Sequence, residues 1–256
     1  QYIKFDALLK KAFSLGAKYL ATGHYARIVK TRSSLHSTRY YLKKARDSQK
    51  DQSYFLYTLN QEQLSKILFP IGKYTKAEVR LMAKEFGLPN WDKKDSQGVC
   101  FVGHIKLREF LRQRIPERVG EIVEASTGRV IGQHPGAWYY TVGQREGIGI
   151  GGGQPYYVAQ KDVVANRITV VTRQKYELVH SKQTMLRDIH WIGEAPTLPL
   201  SCKAKIRYQQ EDQACTIDET KNGFEVTFDE PQFAIAPGQA VVLYEDDLVL
   251  GGAILQ

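Results

Sequence analysis

From about residue 118 to its end, this chain is a succession of short β-type runs cut by Gly and Asn/Asp turns, and that texture limits its fold most. Gly120–Val123, Ser126–Gly132, Tyr156–Ala159 and Arg167–Val171 form a first group. A second begins near Met185 and holds Cys202–Tyr208, Gln213–Ile217, Phe224–Phe228, Ala240–Tyr244 and Gly251–Ile254. Alternation within the runs and their regular spacing predict a small closed barrel or a sandwich. The linker Glu194-Ala195-Pro196-Thr197-Leu198-Pro199 lies inside the second group, so the boundary between the groups is expected near residue 178.

The first hundred residues read differently. Phe5, Leu8, Leu9, Ala12 and Phe13 make an apolar helical face that Gly16 would stop. Lys18–Thr22 then reads as a short buried strand ending at Gly23-His24-Tyr25, a helix–strand pair that needs a parallel sheet. Neighbours of that pair are missing from the chain, which suggests a fragment of a longer α/β domain. Residues 31–39 form a polar loop, Tyr40–Ala45 a strand, and Lys50–Leu56 the start of a short helix. Thr75, followed three residues later by Glu78, is a capping-box helix start. Val79, Met82, Ala83 and Phe86 give that helix an apolar face, and Gly87 with Pro89 ends it.

A chain of 256 residues is long enough for one large domain or two to three small ones. No apolar run approaches the roughly 20 residues that span a bilayer, and the N-terminal residues lack the apolar region of a signal peptide. Three cysteines argue against a disulfide framework and for a reducing cytoplasm. Charge is unevenly placed. There are 30 Lys and Arg against 15 Asp and Glu before residue 179, and 6 against 12 after it, which together make the net charge of +9. A polyanionic partner would meet mainly the first two-thirds, although a solvated basic surface produces the same count.

Asp95-Ser96-Gln97-Gly98-Val99-Cys100-Phe101 puts a single thiol in a short polar loop ahead of Ile105, Leu107, Phe110 and Leu111, which recur at helical spacing. A helix N-terminus and the nearby Lys93, Lys94 and His104 favour the thiolate, the reactive form of cysteine. A small buried hydrophobe is the alternative reading of Cys100. The glycine-rich run Gly147–Gly153 does not open a helix after a strand and is followed by no Lys-Ser/Thr pair, so it reads as a loop, not a phosphate cradle. No His/Cys/Asp spacing resembles a zinc site.

Six strings occur in order: Ala21-Thr22-Gly23-His24-Tyr25-Ala26-Arg27, Lys50-Asp51-Gln52-Ser53-Tyr54, Pro70-Ile71-Gly72-Lys73-Tyr74-Thr75-Lys76, Ser96-Gln97-Gly98-Val99-Cys100-Phe101, Thr141-Val142-Gly143-Gln144-Arg145 and Pro237-Gly238-Gln239-Ala240. With them the chain closely resembles the bacterial-type tRNA-specific 2-thiouridylases along essentially its whole length. That resemblance implies a multidomain α/β plus β fold. Residues 1–103 would be the C-terminal part of a PP-loop (adenine nucleotide alpha hydrolase-like) ATP-binding domain carrying the catalytic cysteine loop. Residues 104–178 would be a small central mixed domain, and 179–256 a C-terminal tRNA-binding β-barrel. It also implies an enzyme, a tRNA-uridine 2-sulfurtransferase of the cytoplasm that uses ATP with Mg²⁺.

In the family, ATP adenylates the 2-oxygen of the wobble uridine, a cysteine persulfide delivers sulfur, and AMP leaves. Cys100 corresponds to the persulfide cysteine, loaded by a sulfur-relay protein or cysteine desulfurase. Gly23 corresponds to a nucleotide-binding position, and His24, Lys50, Asp51, Gln52, Arg207, Tyr208 and Gln239 to positions near tRNA. A lysine suits phosphate, and a guanidinium or phenol stacks on unpaired bases as well as hydrogen-bonding. Without the resemblance, Gly23 and His24 read as a turn glycine and a structural histidine, and Pro237-Gly238 as a turn. Arg207 and Tyr208 then read as a strand-end pair facing water. The family's Ser-Gly-Gly-Val-Asp-Ser pyrophosphate loop and its upstream Asp…Cys string are absent, and Cys202 and Cys215 sit in strands. The polypeptide by itself is therefore expected not to thiolate tRNA, and a non-catalytic tRNA-binding fragment is the alternative.

Overall fold

A computed structural model of the chain describes residues 3–32, 38–93, 107–151 and 154–256. They form two compact units. One takes residues 1–93, 183–230 and 237–256, and the other residues 94–182 and 231–236.

The first unit starts with a π-type turn, Ile3–Ala7, that runs into α1 (Leu8–Ser14). Phe5 and Leu9, four residues apart on one face, are buried, whereas Leu8 is exposed and Ala12 and Phe13 are half-buried. The apolar face is thus narrower than the sequence suggests. β1 is only Leu20–Ala21, and Tyr19 of the expected strand faces solvent. β2 (Ala26–Arg32) and β3 (Thr38–Lys44) pair as an antiparallel hairpin in which Arg32 opposes Thr38. Both edges of the expected polar loop are therefore strand, and its middle, residues 33–37, lies outside the described residues.

The helix expected from Lys50 is a single 3₁₀ turn, Ser53–Leu56, preceded by an irregular loop. After it come α2 (Gln61–Leu64) and β4 (Ile67–Leu68), which pairs in parallel with β1. Asn60 and Gln63 form a capping box at α2. Gln63 Nε2 also donates to the Phe5 carbonyl at 2.8 Å, and Gln61 exchanges hydrogen bonds with the Tyr40 backbone. The capping box read at Thr75 and Glu78 is present at the start of α3 (Lys76–Glu85). Its expected apolar face is not a buried one. Val79, Met82 and Ala83 are half-buried and Phe86 is 75% exposed.

The second unit begins its described part with α4 (Leu107–Arg112), then β5 (Gly120–Glu124) and β6 (Val130–His134). β7 (Tyr156–Asp162) and β8 (Arg167–Thr172) complete a four-stranded sheet in the order β6-β5-β8-β7, with β5 and β8 parallel. Ile122, Val158, Ile168 and Val170 from its strands bury against Ala137, Tyr140 and Ile148. Residues 147–151 of the glycine-rich run lie in turn and irregular structure, and Gly152 and Gly153 are outside the described residues.

β9 (His180–Trp191), β10 (Leu200–Lys205), β11 (Gln213–Thr220), β12 (Gly223–Phe233), β13 (Ala240–Glu245) and β14 (Leu248–Leu255) make the second β group. Their order, β13-β10-β11-β12-β9-β14, closes on itself because β13 also pairs with β14. The expected closed barrel therefore has six strands, and closure removes its free edges. β14 also pairs with β3, Leu248 opposite Lys43, so the β2–β3 hairpin extends the barrel sheet.

One core joins the N-terminal segment of this unit to the barrel. Phe5, Leu9, Leu42, Leu56, Leu64 and Ile67 bury together with Val242, Tyr244 and Val249 of the barrel. Burial of each large side chain stabilises by about 1.5–3 kcal/mol. Val241 and Leu243 point away from these two partners on β13 and are also fully buried, which explains the unbroken apolar run there. Close approach of backbones requires glycine at two places. A Cβ on Gly72 would lie 1.7 Å from the Ala26 carbonyl oxygen, and one on Gly252 2.5 Å from that of Val241. Among the described residues, no helix is long and apolar enough to cross a membrane.

Candidate functional site

The turn after β1 carries Thr22, Gly23 and His24 at the C-terminal end of a parallel strand, where open α/β sheets collect ligands. Gly23 is exposed, and the nearest neighbour of a Cβ there would be Ile71 Cδ1 at 4.0 Å, so the site is open backbone. His24 is half-buried between the rings of Phe5 and Phe69, at 5.6 and 5.7 Å between centroids. Its Nε2 lies 3.2 Å from Lys4 Nζ and its Nδ1 2.8 Å from Thr22 Oγ1. An ammonium can only donate, so Nε2 accepts and Nδ1–H donates to the hydroxyl.

Burial, then the Lys4 charge, pulls the His24 pKa down from 6.5 to about 4. The imidazole is neutral at neutral pH. With a folded pKa below the unfolded one, His24 contributes stability that is lost as pH falls from 6.5 through about 4. An NMR titration is expected to show the ring changing charge near pH 4. Lys4→Ala should raise the midpoint only part of the way to 6.5, since burial is the larger cause. A wild-type midpoint above 6 would contradict this.

Gln52 ties this turn to the next string. Its backbone N–H donates to the Tyr25 carbonyl at 2.8 Å, and its Oε1 accepts from the Tyr25 N–H at 3.0 Å. Asp51 is buried. Its Oδ1 accepts from the Ala45 and Ser53 N–H groups and its Oδ2 from the Ser53 hydroxyl at 2.7 Å, so the carboxylate holds the loop's shape from inside. Lys50, half-buried, stands on the loop so fixed.

Tyr54 joins the loop to the barrel. Its hydroxyl donates to the carbonyl of Ala240 at 2.8 Å and lies 3.3 Å from that of Ile206. Burial, then Tyr57, raises its pKa to about 12 against the opposing charge of Arg207, so it remains a donor. Its two partners directly precede Arg207 and directly follow Gln239 in the chain, so Tyr54 links the Lys50–Gln52 string to both of those segments. Beyond Tyr54, Phe55 is 56% exposed and its ring lies 4.5 Å from that of Tyr208, tilted by 38°. Arg207 is half-buried, and burial lowers its pKa without discharging a guanidinium. Gln239 Oε1 is buried with no hydrogen-bond partner among the described residues.

Sequence reasoning did not single out Tyr54 and Phe55, although two adjacent aromatics one residue beyond Lys50-Asp51-Gln52 are the visible signal. Cys100 lies outside the described residues, as do Lys94 and His104. Several cations of this unit are already paired, two to each carboxylate. Arg27 and Lys43 pair with Asp247 at 2.7 and 2.9 Å, and the hydrogen bond from Lys43, with that from Arg27, holds the Asp247 carboxyl below its usual range. Lys44 and Lys205 share Asp212, with Lys44 over the Tyr244 ring.

Three family models match the chain: a tRNA methyl transferase HUP domain over residues 1–104, a tRNA methyl transferase PRC-barrel domain over 108–172, and an aminomethyltransferase beta-barrel domain over 181–255. Among similar proteins is the tRNA-specific 2-thiouridylase MnmA of Marinomonas sp., 45% identical over 99% of this chain and 65% of its own length. Those of Legionella pneumophila and Nitrosococcus oceani are 44% and 46% identical over 99% of the chain and 71% and 69% of their own lengths. The chain thus spans about two-thirds of the length of these relatives.

Proposed function

Because the chain belongs to the tRNA-specific 2-thiouridylase family, we propose that it takes part in replacing the 2-oxygen of a tRNA wobble uridine by sulfur, with Cys100 as persulfide carrier. ATP, through adenylation, would supply a leaving group at the uridine 2-oxygen. The outer sulfur of the persulfide then attacks C2, the C2–O bond breaks, and AMP departs with the former uridine oxygen. A second thiol, the one the family's upstream Asp…Cys string supplies, attacks the Cys100 sulfur, so that the S–S bond breaks, 2-thiouridine is released and a protein disulfide is left. Oxygen at C2 is otherwise a poor leaving group, and a low-pKa sulfur is a strong nucleophile near neutral pH. Gly23 fits the edge of a bound nucleotide, as exposed backbone at a strand end. The described residues contain no phosphate-holding loop, so no phosphate step is assigned to them. Loading of Cys100 would fall to a sulfur-relay protein or cysteine desulfurase.

The observation that carries the tRNA assignment is the Tyr54 junction, which gathers Lys50, Gln52, Phe55, Arg207, Tyr208 and Gln239 on one unit. In this reading Lys50 and Arg207 hold phosphate, and the Phe55–Tyr208 pair stacks an unpaired base. Gln239 Oε1 would accept from a ribose hydroxyl or base amine, and Asp51 acts only by positioning its neighbours. His24, neutral and held by Lys4 and Thr22, would pack beside the reacting uridine as an uncharged ring. A base stacked on an aromatic side chain contributes about 1–3 kcal/mol, so Phe55→Ala should weaken tRNA binding by roughly 5- to 150-fold. Affinity should also fall steeply as salt rises, because phosphate contacts release counterions. Gel-shift titrations of the chain with an unmodified tRNA over a salt series read both effects. A flat salt response, or an unchanged affinity for Phe55→Ala, would remove tRNA from the site.

A further inference from the structure

The barrel holds a pair of thiols that this reading does not use. Cys202 on β10 lies directly opposite Cys215 on β11, and both side chains turn to the inner face with Ala204 and Ile217. Their Sγ atoms are 3.8 Å apart, and both are free. Directly opposed residues on antiparallel strands have Cβ atoms about 4.5–5.5 Å apart, and a disulfide spans about 3.5–4.5 Å. The two ranges meet, so closing the bond needs a side-chain rotation and a small approach of the strands. Register fixes the partners, which leaves Cys215 as the resolving thiol for Cys202.

We propose that Cys202 and Cys215 form a dithiol site that a peroxide oxidises to a cross-strand disulfide. The Cys202 sulfur attacks one peroxide oxygen, the O–O bond breaks, and a sulfenic acid forms as the first water leaves. Cys215 then attacks that sulfur, the S–O bond breaks, and the second water leaves. Two thiols and one hydrogen peroxide thus give one disulfide and two waters, with sulfur oxidised and peroxide reduced. The two residues are unequal in the way the sequence of steps requires. Cys202 is half-buried and within reach of a small oxidant, whereas Cys215 is 3% exposed. A hydrogen bond from Cys215 holds the Cys202 thiol below its ordinary range against its burial and the nearby Glu245. That same bond and burial push the Cys215 thiol up, which keeps it a protonated donor. The bond would close a ring over residues 202–215, which includes Arg207 and Tyr208.

Exposure of the folded chain to hydrogen peroxide, then alkylation and proteolysis, tests this directly by mass spectrometry. In a Cys100→Ser background, the expected result is a peptide linking Cys202 to Cys215, two hydrogens lighter than the reduced pair and restored by dithiothreitol. Cys202→Ser should abolish the link and leave Cys215 alkylatable. The mapping on the unsubstituted pair needs no change in the barrel, so it decides the matter even if a serine variant fails to fold. Thiols that resist peroxide, that end as separate sulfinic or sulfonic acids, or that link only after denaturation would each overturn the proposal.

Discussion

Replacing Cys100 by serine in the full-length protein is expected to lower sulfur transfer to tRNA by about 10³-fold or more, the scale seen when a covalent nucleophile is removed. A serine hydroxyl is close in size and polarity to a thiol, but it cannot form the S–S bond that stores a transferable sulfur. tRNA affinity should stay within about twofold, since the residues proposed to hold RNA lie on Lys50–Phe55, Arg207–Tyr208 and Gln239, and a phosphate-driven affinity depends on those contacts. The assay is thiouridine formation with ATP, a persulfide donor and unmodified tRNA, beside a gel shift on the same preparation. A variant that keeps more than about a tenth of the wild-type rate would mean that sulfur travels by another route. Parallel loss of affinity and rate would mean that Cys100 serves binding or folding.

Gly72→Ala is expected to be the most damaging single substitution in the first unit, costing more than about 4 kcal/mol. Its Cβ would stand 1.7 Å from the oxygen and 2.5 Å from the carbon of the Ala26 carbonyl, both backbone atoms that cannot rotate away. Retreat is blocked on the other side as well, because the Gly72 carbonyl accepts the Arg46 N–H at 3.0 Å. Any shift large enough to relieve the clash would part β2 from the loop that presents Lys50 and Gln52. Gly193→Ala is the control, since a Cβ there meets nothing within 4 Å. Thermal unfolding followed by circular dichroism should place Gly72→Ala about 8 °C or more below Gly193→Ala, or leave it insoluble. Melting within about 2 °C of the control would show that the backbone relaxes easily there.

Features written in a few adjacent residues were legible before any coordinates. The Thr75–Glu78 box starts its helix because the signal and the bonds that answer it lie within four positions. Alternating apolar residues marked the β strands, but their even spacing suited a sandwich as well as a closed barrel, and closure rests on the β13–β14 pairing. Partnerships across the chain left no such trace. Nothing near residue 40 announces that Lys43 will sit opposite Leu248, since a strand's pattern names the face it buries and not its neighbour. Asp51 shows the same limit at the site. Between a lysine and a glutamine it reads as one more polar surface group, yet its carboxylate turns inward to backbone and hydroxyl donors. Tyr54 could be seen as an aromatic, but its two carbonyl partners lie more than a hundred and fifty positions downstream.

The pairing of β3 with β14 sets an order of events during biosynthesis. The hairpin emerges from the ribosome about two hundred residues before its partner strand, a delay of roughly 10 to 40 s at ordinary elongation rates. Throughout that interval Leu42 has neither Val242 nor Val249 to cover it. Nascent chains of this protein should therefore offer a greasy, unpaired ribbon to chaperones, and withdraw it only when the last strand arrives.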